Sequence, residues 1–336
     1  MKAVVFSAYG SPEVLHLAEV EKPVPNDNEV LVKVHAASVN DWDWAIIQGV
    51  PFANRMETGL FKPKKKMLGT DVAGIVEATG TNVTRFKPGD AVFGDICKSG
   101  WKDLPTYTGG AYAEYVCTGE NTLLPKPANL SFAQAAALPQ VGGLVVQGLR
   151  RCGGIHSGQR VLINGASGGV GTLAVQIARS MGAEVTGVCS TGKMEMVRSL
   201  GADHVIDYTE EDFTRNGKHY DYILDSKGFH SIVDYRRALA PKGCYAMLGG
   251  GNASAAQIML LGWLVSLVGS KKLRMVIYRP NRGLNFLVKL IESGHVTPVI
   301  DRIFPLIEAS DAFRYYADGK ARGKIVITME QNGGAS

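Results

Sequence analysis

Arg160-Val161-Leu162-Ile163-Asn164-Gly165-Ala166-Ser167-Gly168-Gly169-Val170-Gly171 runs on into Thr172-Leu173-Ala174-Val175-Gln176-Ile177-Ala178-Arg179. An apolar, β-branched run stops at Gly165, glycines recur at Gly168 and Gly171, and a helical pattern follows. A strand, a tight turn and a helix in that order form a dinucleotide-binding turn. Gly165 permits the turn, Gly168 lets backbone approach a pyrophosphate, and Gly171 packs helix against strand. The helix N-terminus offers unpaired N–H groups and a positive dipole end. Gly165, Ser167, Gly168, Gly169 and Val170 are therefore the expected phosphate cradle.

The chain around this turn alternates. Strands are expected at Val161–Asn164, Glu184–Val188, His204–Asp207, Tyr222–Asp225, Cys244–Leu248 and Leu273–Tyr278, with helices from Val170, over Met194–Leu200 and over Ser231–Leu239. Such alternation means parallel strands joined by right-handed crossovers, a doubly wound sheet. Upstream, Ser131 caps a helix running to Leu138, Pro139 breaks it, and a second helix covers Gly143 to Cys152. The doubly wound domain is placed at 128–280.

Residues 1–127 follow a different grammar of short strands and turns, including Val30–Val34, Asp71–Glu77, Ala91–Gly94 after Pro88-Gly89-Asp90, and Gly109–Val116. Gly49–Met67 and Lys98–Thr108 read as long loops, either edges of a functional cleft or tolerated insertions. Beyond Pro280, helices at Leu284–Ser293 and Glu308–Gly319 and strands at Val299–Phe304 and Lys324–Thr328 fit poorly into the doubly wound count. Residues 281–336 are assigned back to the first, mostly β domain. The expected fold class is thus α/β: a Rossmann domain plus a discontinuous, mostly β domain.

Composition narrows the function classes. The chain has 336 residues, 46% hydrophobic and 20% charged, with a net charge of +5, which describes a soluble globular protein of two domains. The densest basic run, Lys64-Lys65-Lys66, is too short for a nucleic-acid groove and reads as a solvated loop. The five cysteines are scattered without CxxC spacing, so free thiols in a reducing compartment are expected. Met1–Phe6 reads as a strand and not as a secretory signal, and Ile258–Val268 is too short to span a bilayer. The expected location is the cytoplasm. Ile258–Val268, with Trp263, is left as a substrate lid, a dimer interface or a membrane-surface segment.

The strand after the glycine turn decides the dinucleotide. An NAD site places a carboxylate at its end, about 20 residues after the glycines, to hold the ribose 2′-OH. Here the strand ends Gly187-Val188-Cys189-Ser190-Thr191-Gly192-Lys193, with no carboxylate. Ser190 can donate to a phosphate and Lys193 can neutralise one, so NADPH is the expected cofactor. None of the seven histidines stands near a second ligand at metal spacing, and no GxSxG elbow or Cys/His pair can be assembled. No metal is expected.

Taken together, the chain resembles the medium-chain dehydrogenase/reductase superfamily, in its zinc-free quinone and enone reductase branch. The resemblance covers nearly the whole chain. It rests on Ala36-Ala37-Ser38-Val39-Asn40-Asp41-Trp42-Asp43, Leu68-Gly69-Thr70-Asp71-Val72-Ala73-Gly74, Phe86–Gly94, Gly110–Tyr115, the glycine turn, Leu200–Tyr208 and Ala321-Arg322-Gly323-Lys324-Ile325-Val326. Zinc-dependent members carry a cysteine in place of Asn40, Gly-His-Glu in place of Gly69-Thr70-Asp71, and a four-cysteine lobe where only Cys97 stands here.

The resemblance implies a GroES-like catalytic domain, a homodimer, and Asn40 beside the nicotinamide. It also implies that Ser190, Lys193 and Tyr208 surround the 2′-phosphate, that Lys324 reaches toward the cofactor, and that Gly249 and Gly250 end a strand beneath it. Two positions depart from the pattern: Val145 replaces a threonine, and Asp41 replaces a proline. Without a Lewis acid, hydride addition to an enone or a quinone asks less of the protein than alcohol oxidation does. The expected chemistry is NADPH-dependent reduction of such a small molecule. The enolate oxygen is held by Asn40 or a backbone N–H, and the proton comes from water or Tyr107. The alternatives are a zinc-independent alcohol or aldehyde reductase and a non-catalytic NADPH-binding sensor.

Overall fold

The computed structural model describes residues 1–64, 66–99, 105–251, 255, 257–260, 262 and 270–329. These pack as two compact units. One comprises 1–140, 279–281 and the chain from Ile300 onward; the other comprises 141–278 and 282–299.

The second unit is built on a six-stranded parallel sheet. Its order is His204–Asp207, Glu184–Cys189, Arg160–Asn164, Tyr220–Asp225, Leu239–Met247, Lys272–Met275. Numbered by sequence this is 3-2-1-4-5-6, the doubly wound order of a dinucleotide-binding domain. The strands are near-continuous apolar runs because helices cover both faces. Leu162, Val188, Ile206, Ile223, Tyr245 and Met247 are all buried in one cluster. All six strands lie where the alternation places them.

Pro139 behaves differently from the expected break. It opens the helix Pro139–Arg151, directly after the short helix Phe132–Ala136. A proline at the first helical position loses no hydrogen bond, because that N–H has no partner in any helix. Ser131 caps as expected: its hydroxyl accepts from Gln134 N at 3.2 Å, and its own N–H donates to Gln134 Oε1 at 2.9 Å.

The helix Leu284–Glu292 also differs, since it packs in the second unit and not with the return segment. Leu284 and Leu287 bury against Gly142, where a Cβ would lie 2.3 Å from Leu287. Only the chain from Ile300, with Arg279–Asn281, rejoins the first unit. A further correction concerns the cysteines. Cys152 and Cys244 form a disulfide, with Cα atoms 5.9 Å apart across a separation of 92 residues. Spacing concealed this pair because helix-to-strand packing brings it together. Cys97, Cys117 and Cys189 are free thiols.

The first unit centres on the strand Glu29–Ser38, which pairs antiparallel with Asp71–Thr79, Tyr115–Gly119 and Lys324–Thr328. Its sheet runs Ile300–Pro305, Lys324–Thr328, Glu29–Ser38, Asp71–Thr79, Ala91–Asp95, Leu124–Pro125. Side chains alternate inward, and Val30, Val32, Val34, Val72 and Ile327 are buried in one core with Phe6, Ile46 and Phe313. Register positions the site: Ser38 lies opposite both Asp71 and Val326. Carried two residues on, the Ser38–Val326 pairing sets Asn40 against Lys324, and Val39 N donates to Ile325 O at 3.0 Å.

Of the two expected loops, Gly49–Met67 contains a short helix, Phe52–Thr58. Lys98–Thr108 carries a small strand pair, Lys98–Ser99 with Pro105–Thr106, and its residues 100–104 lie outside the described residues. Most of Ile258–Val268 also lies outside them, including Trp263. Among the described residues no helix is long and apolar enough to cross a membrane.

Candidate functional site

In the second unit the glycine turn has the geometry its spacing requires. Gly165 adopts φ +84°, a region that penalises any Cβ. Gly165 N and Ala166 N both donate to Val188 O, at 3.1 and 2.9 Å, which ties the turn to the neighbouring strand. A Cβ on Gly171 would sit 2.1 Å from Gly165 O, so this glycine lets the helix close onto the turn. Gly168 precedes the helix Gly169–Ser180 and supplies no side-chain cap. The first-turn N–H groups of Gly169 and Val170 have no partner within the helix. Gly168, Gly169 and Val170 are half-buried, and a Cβ on Gly168 would meet only Gly165 O, at 3.6 Å. The Gly169 and Val170 N–H groups thus stand at a helix N-terminus that no side chain at Gly168 covers, an arrangement suited to an anion such as a pyrophosphate.

Parallel register brings the ends of the second and third strands together, with Cys189 opposite Asp207. Ser190 and Tyr208 therefore stand side by side, and Tyr208 N donates to Cys189 O at 3.1 Å. Lys193 closes the turn, its N–H donating to Ser190 O at 2.9 Å. Tyr208 is 63% exposed. The sequence reading missed Asp207, whose carboxylate accepts from the hydroxyls of Thr191 and Thr209 and so clamps the two turns together. These hydrogen bonds hold its carboxyl below the usual range, so it stays ionised. Asp225 was missed as well. Fully buried at the end of the fourth strand, it accepts from Asn164 Nδ2 (2.9 Å), Lys227 N (2.8 Å), Gly228 N (3.0 Å) and the Tyr245 hydroxyl (2.9 Å). Its own carbonyl oxygen accepts from Leu248 N at 2.7 Å and Gly249 N at 3.4 Å, fixing the Gly249-Gly250 turn. An aspartate ending an apolar strand was the available signal for each.

The first unit holds a buried polar chain. Lys324 Nζ donates to Asn40 Oδ1 at 2.6 Å and to Val39 O at 2.9 Å. Asn40 Nδ2 donates to Asp71 Oδ2 at 3.0 Å. Asp71 also accepts from the Ser38 hydroxyl (2.9 Å) and Gln140 N (3.0 Å). The amide orientation of Asn40 follows from chemistry: an ammonium can only donate, and a carboxylate can only accept. Asn40, Asp71 and Lys324 are 2%, 0% and 5% exposed. Burial lowers the Lys324 pKa while the nearby Asp71 and Asp43 carboxylates oppose that shift, and burial raises Asp71 while Lys324 opposes it. Each charge thus offsets part of the burial cost of the other across one intervening amide. Asp41, in the proline position, starts the helix Asp41–Gln48 and accepts from the Tyr316 hydroxyl at 2.9 Å.

Tyr107 occupies a different place from the one expected of a proton donor. It is fully buried, and its hydroxyl donates to Asp43 Oδ1 at 2.7 Å and accepts from Gly69 N at 3.2 Å. Burial and the Asp43 carboxylate push its phenol well above the usual range. Asp43 also accepts from the Tyr112 hydroxyl (2.9 Å) and Asn40 N (3.2 Å), so it anchors the backbone on which Asn40 sits. Tyr107 is a support of that anchor.

Burial raises Asp43 from its ordinary 3.8 to about 6 despite these donors. A carboxyl raised on folding binds its proton more tightly in the native state, so it destabilises the fold once ionised. The Asp43 contribution is largest below pH 4 and declines as pH rises to about 6. The total change is about 3 kcal/mol, from two units at 1.36 kcal/mol each. Urea unfolding of wild type and Asp43→Asn at pH 4.5 and 7.5 isolates it. The stability difference between the two proteins should shift toward the variant by one or more kcal/mol at the higher pH.

The donor set around Asn40 does not suit zinc. It offers an amide already bonded at both ends, one carboxylate and an adjacent ammonium, where zinc takes thiolate, imidazole or carboxylate groups without a competing cation. Among the described residues no three His, Cys, Asp or Glu side chains converge as a metal cluster.

The chain combines a doubly wound dinucleotide unit with a mostly β unit that holds a buried Lys–Asn–Asp chain, and this combination defines a nicotinamide-dependent oxidoreductase. The chain belongs to the medium-chain dehydrogenase/reductase superfamily, in its quinone-oxidoreductase-like branch. Residues 26–128 match the alcohol dehydrogenase GroES-like domain, and residues 200–327 match the family described as zinc-binding dehydrogenase. The chain is 35% identical to the human mitochondrial NAD(P)H oxidoreductase RTN4IP1, across 98% of this chain and 89% of that protein. It is 36% identical to the 2-methylene-furan-3-one reductase of Solanum lycopersicum, across 97% of this chain and 79% of that protein. Among solved structures it is similar to the quinone oxidoreductase from Coxiella burnetii, with a TM-score of 0.84 at 32% identity, covering 98% of this chain and 99% of that one.

Proposed function

We propose that the protein is a zinc-independent, NADPH-dependent reductase of enones or quinones. The observation that carries this reading is the carboxylate-free end of the second strand, where Ser190, Lys193 and Tyr208 gather. Bound NADPH supplies the hydride. The Gly165–Val170 cradle holds its pyrophosphate, and Ser190, Lys193 and Tyr208 take its 2′-phosphate. Gly249 and Gly250, held by Asp225, form the floor beneath the nicotinamide.

The buried chain of the first unit does the polarising. Two of the three Lys324 N–H bonds are spent on Asn40 and Val39, and the third has no acceptor among the described residues. That N–H meets the substrate oxygen and stabilises the charge that develops there. Asn40 aims it, and the Asp71 and Asp43 carboxylates oppose the loss of its charge on burial. Asn40 itself is bonded at both ends of its amide, so it is a positioning residue in this reading. With Tyr107 committed to Asp43, carbon protonation falls to water. Two of the relatives named above carry an acceptor in their names, a 2-methylene-furan-3-one for one and a quinone for the other, and the proposal extends that acceptor class to this chain. It also takes the active form to be a cytoplasmic homodimer.

Cofactor preference tests the reading. A charge-assisted bond to phosphate contributes about 1.5–3 kcal/mol. Lys193→Ala should therefore raise KM for NADPH roughly tenfold to a hundredfold and leave KM for NADH within about twofold. Equal KM changes for the two nucleotides would remove Lys193 from the 2′-phosphate site.

A further inference from the structure

The segment following the helix Asp41–Gln48 presents several large apolar side chains to solvent within ten residues. Met56 is 77% exposed, Leu60 43% and Phe61 89%. Phe52, one helical turn before Met56 on the same face of Phe52–Thr58, is 61% exposed. Chain geometry enforces this exposure. Lys64 N donates to Thr58 O at 2.7 Å, and the Tyr9 hydroxyl bonds Thr58 Oγ1 at 2.7 Å and Gly59 O at 2.6 Å. Pro63 is buried. The loop is thus pinned at both ends of its neck, and Leu60 and Phe61 are pushed outward at its tip.

Charge completes the pattern. From Val50 to Lys66 the sequence carries five basic residues and one acidic one, Glu57. Glu57 Oε1 accepts from Tyr107 N at 2.5 Å, which turns that carboxylate back toward the protein body. Lys62, Lys64 and Lys66 are exposed immediately behind the apolar tip.

An apolar protrusion backed by lysines matches the cross-section of an anionic membrane surface. Phe, Leu and Met enter the acyl boundary while ammonium groups stay at the level of the head groups. A nucleic acid would leave Met56 and Leu60 without use, since its recognition rests on stacking and hydrogen bonding. An acidic protein groove would need a wider apolar area than four side chains. We infer that the Phe52–Lys66 segment docks the protein peripherally on a bilayer rich in anionic lipid.

The test is co-sedimentation of the full chain with vesicles of phosphatidylcholine alone and of phosphatidylcholine mixed with phosphatidylglycerol. Binding is expected only to the mixed vesicles and is expected to weaken with salt. Phe61→Ser should weaken it about tenfold, as expected for a lost partial burial of one aromatic. Lys62→Glu with Lys64→Glu should weaken it at least about thirtyfold, at roughly fivefold per lysine removed from such a surface. Phe61→Ser should melt like wild type, because its side chain makes so few contacts. No sedimentation with either vesicle overturns the inference, as does binding indifferent to Phe61→Ser. A wild-type dimer that Phe61→Ser converts to monomer, without vesicle binding, would assign the patch to a second copy. Duplex DNA binding lost with the lysine reversals, again without vesicle binding, would assign it to nucleic acid.

Discussion

Lys324→Met is expected to lower kcat for an enone acceptor by about a hundredfold to a thousandfold, the range seen when one preorganised donor to a developing oxyanion is removed. KM for NADPH should stay within about twofold, because the nucleotide cradle belongs to residues of the other unit. The substitution retains the aliphatic stem that packs at this 5% exposed position and deletes only the ammonium. Steady-state kinetics at saturating NADPH provide the check. A kcat within about threefold of wild type would take Lys324 out of the chemistry and leave it as a purely structural buried cation. Lys324→Arg should recover little, since a planar guanidinium cannot reproduce a single point donor 2.6 Å from Asn40 Oδ1.

Asp71→Ala is expected to destabilise the protein by about 3–5 kcal/mol, the cost of leaving a buried charge without its counter-charge. Its carboxylate is the acceptor for Asn40 Nδ2, the Ser38 hydroxyl and Gln140 N. Its removal would take away the shortest acceptor of the first, whose remaining contacts to Thr70 Oγ1 and Ser38 O are 3.4 and 3.5 Å, and the bonds of the other two in a fully buried place. Urea unfolding reads the loss. Combining Asp71→Ala with Lys324→Met removes the stranded ammonium, so the double variant should be more stable than the sum of the two single losses by about 1 kcal/mol or more. Strict additivity would mean that the two charges do not interact through Asn40.

The second unit was the more legible half of the chain. Its strands are buried on both faces, so they are written as uninterrupted apolar runs, and glycines at Gly165, Gly168 and Gly171 mark the one turn that must be tight and open. Alternation and chirality indicate a doubly wound sheet, while the strand order itself comes from the structure. Asp207 and Asp225 are harder to read because each works partly through residues distant in sequence, Thr191 for one and Asn164 and Tyr245 for the other.

The first unit was harder to read, because its site is made by register. Asn40 and Lys324 are 284 residues apart, and only the antiparallel pairing of Glu29–Ser38 with Lys324–Thr328 sets them against each other. The resemblance named both residues without revealing that Asp71 holds the far end of the same amide. Tyr107 offers a phenol to the sequence reading, yet the fold turns that group toward Asp43, a partner no spacing rule connects to it. The Cys152–Cys244 disulfide and the docking of Leu284–Glu292 on Gly142 were hidden for the same reason: both are contacts between elements whose packing the local pattern does not encode.

The most direct measurement follows the loss of NADPH absorbance in chelator-treated protein offered enones, quinones and saturated aldehydes, with NADH in parallel. The account predicts oxidation with enones or quinones, a preference for NADPH, and activity unchanged by the chelator. Activity confined to saturated aldehydes, or abolished by chelation, or absent with every acceptor while NADPH still binds, would contradict it.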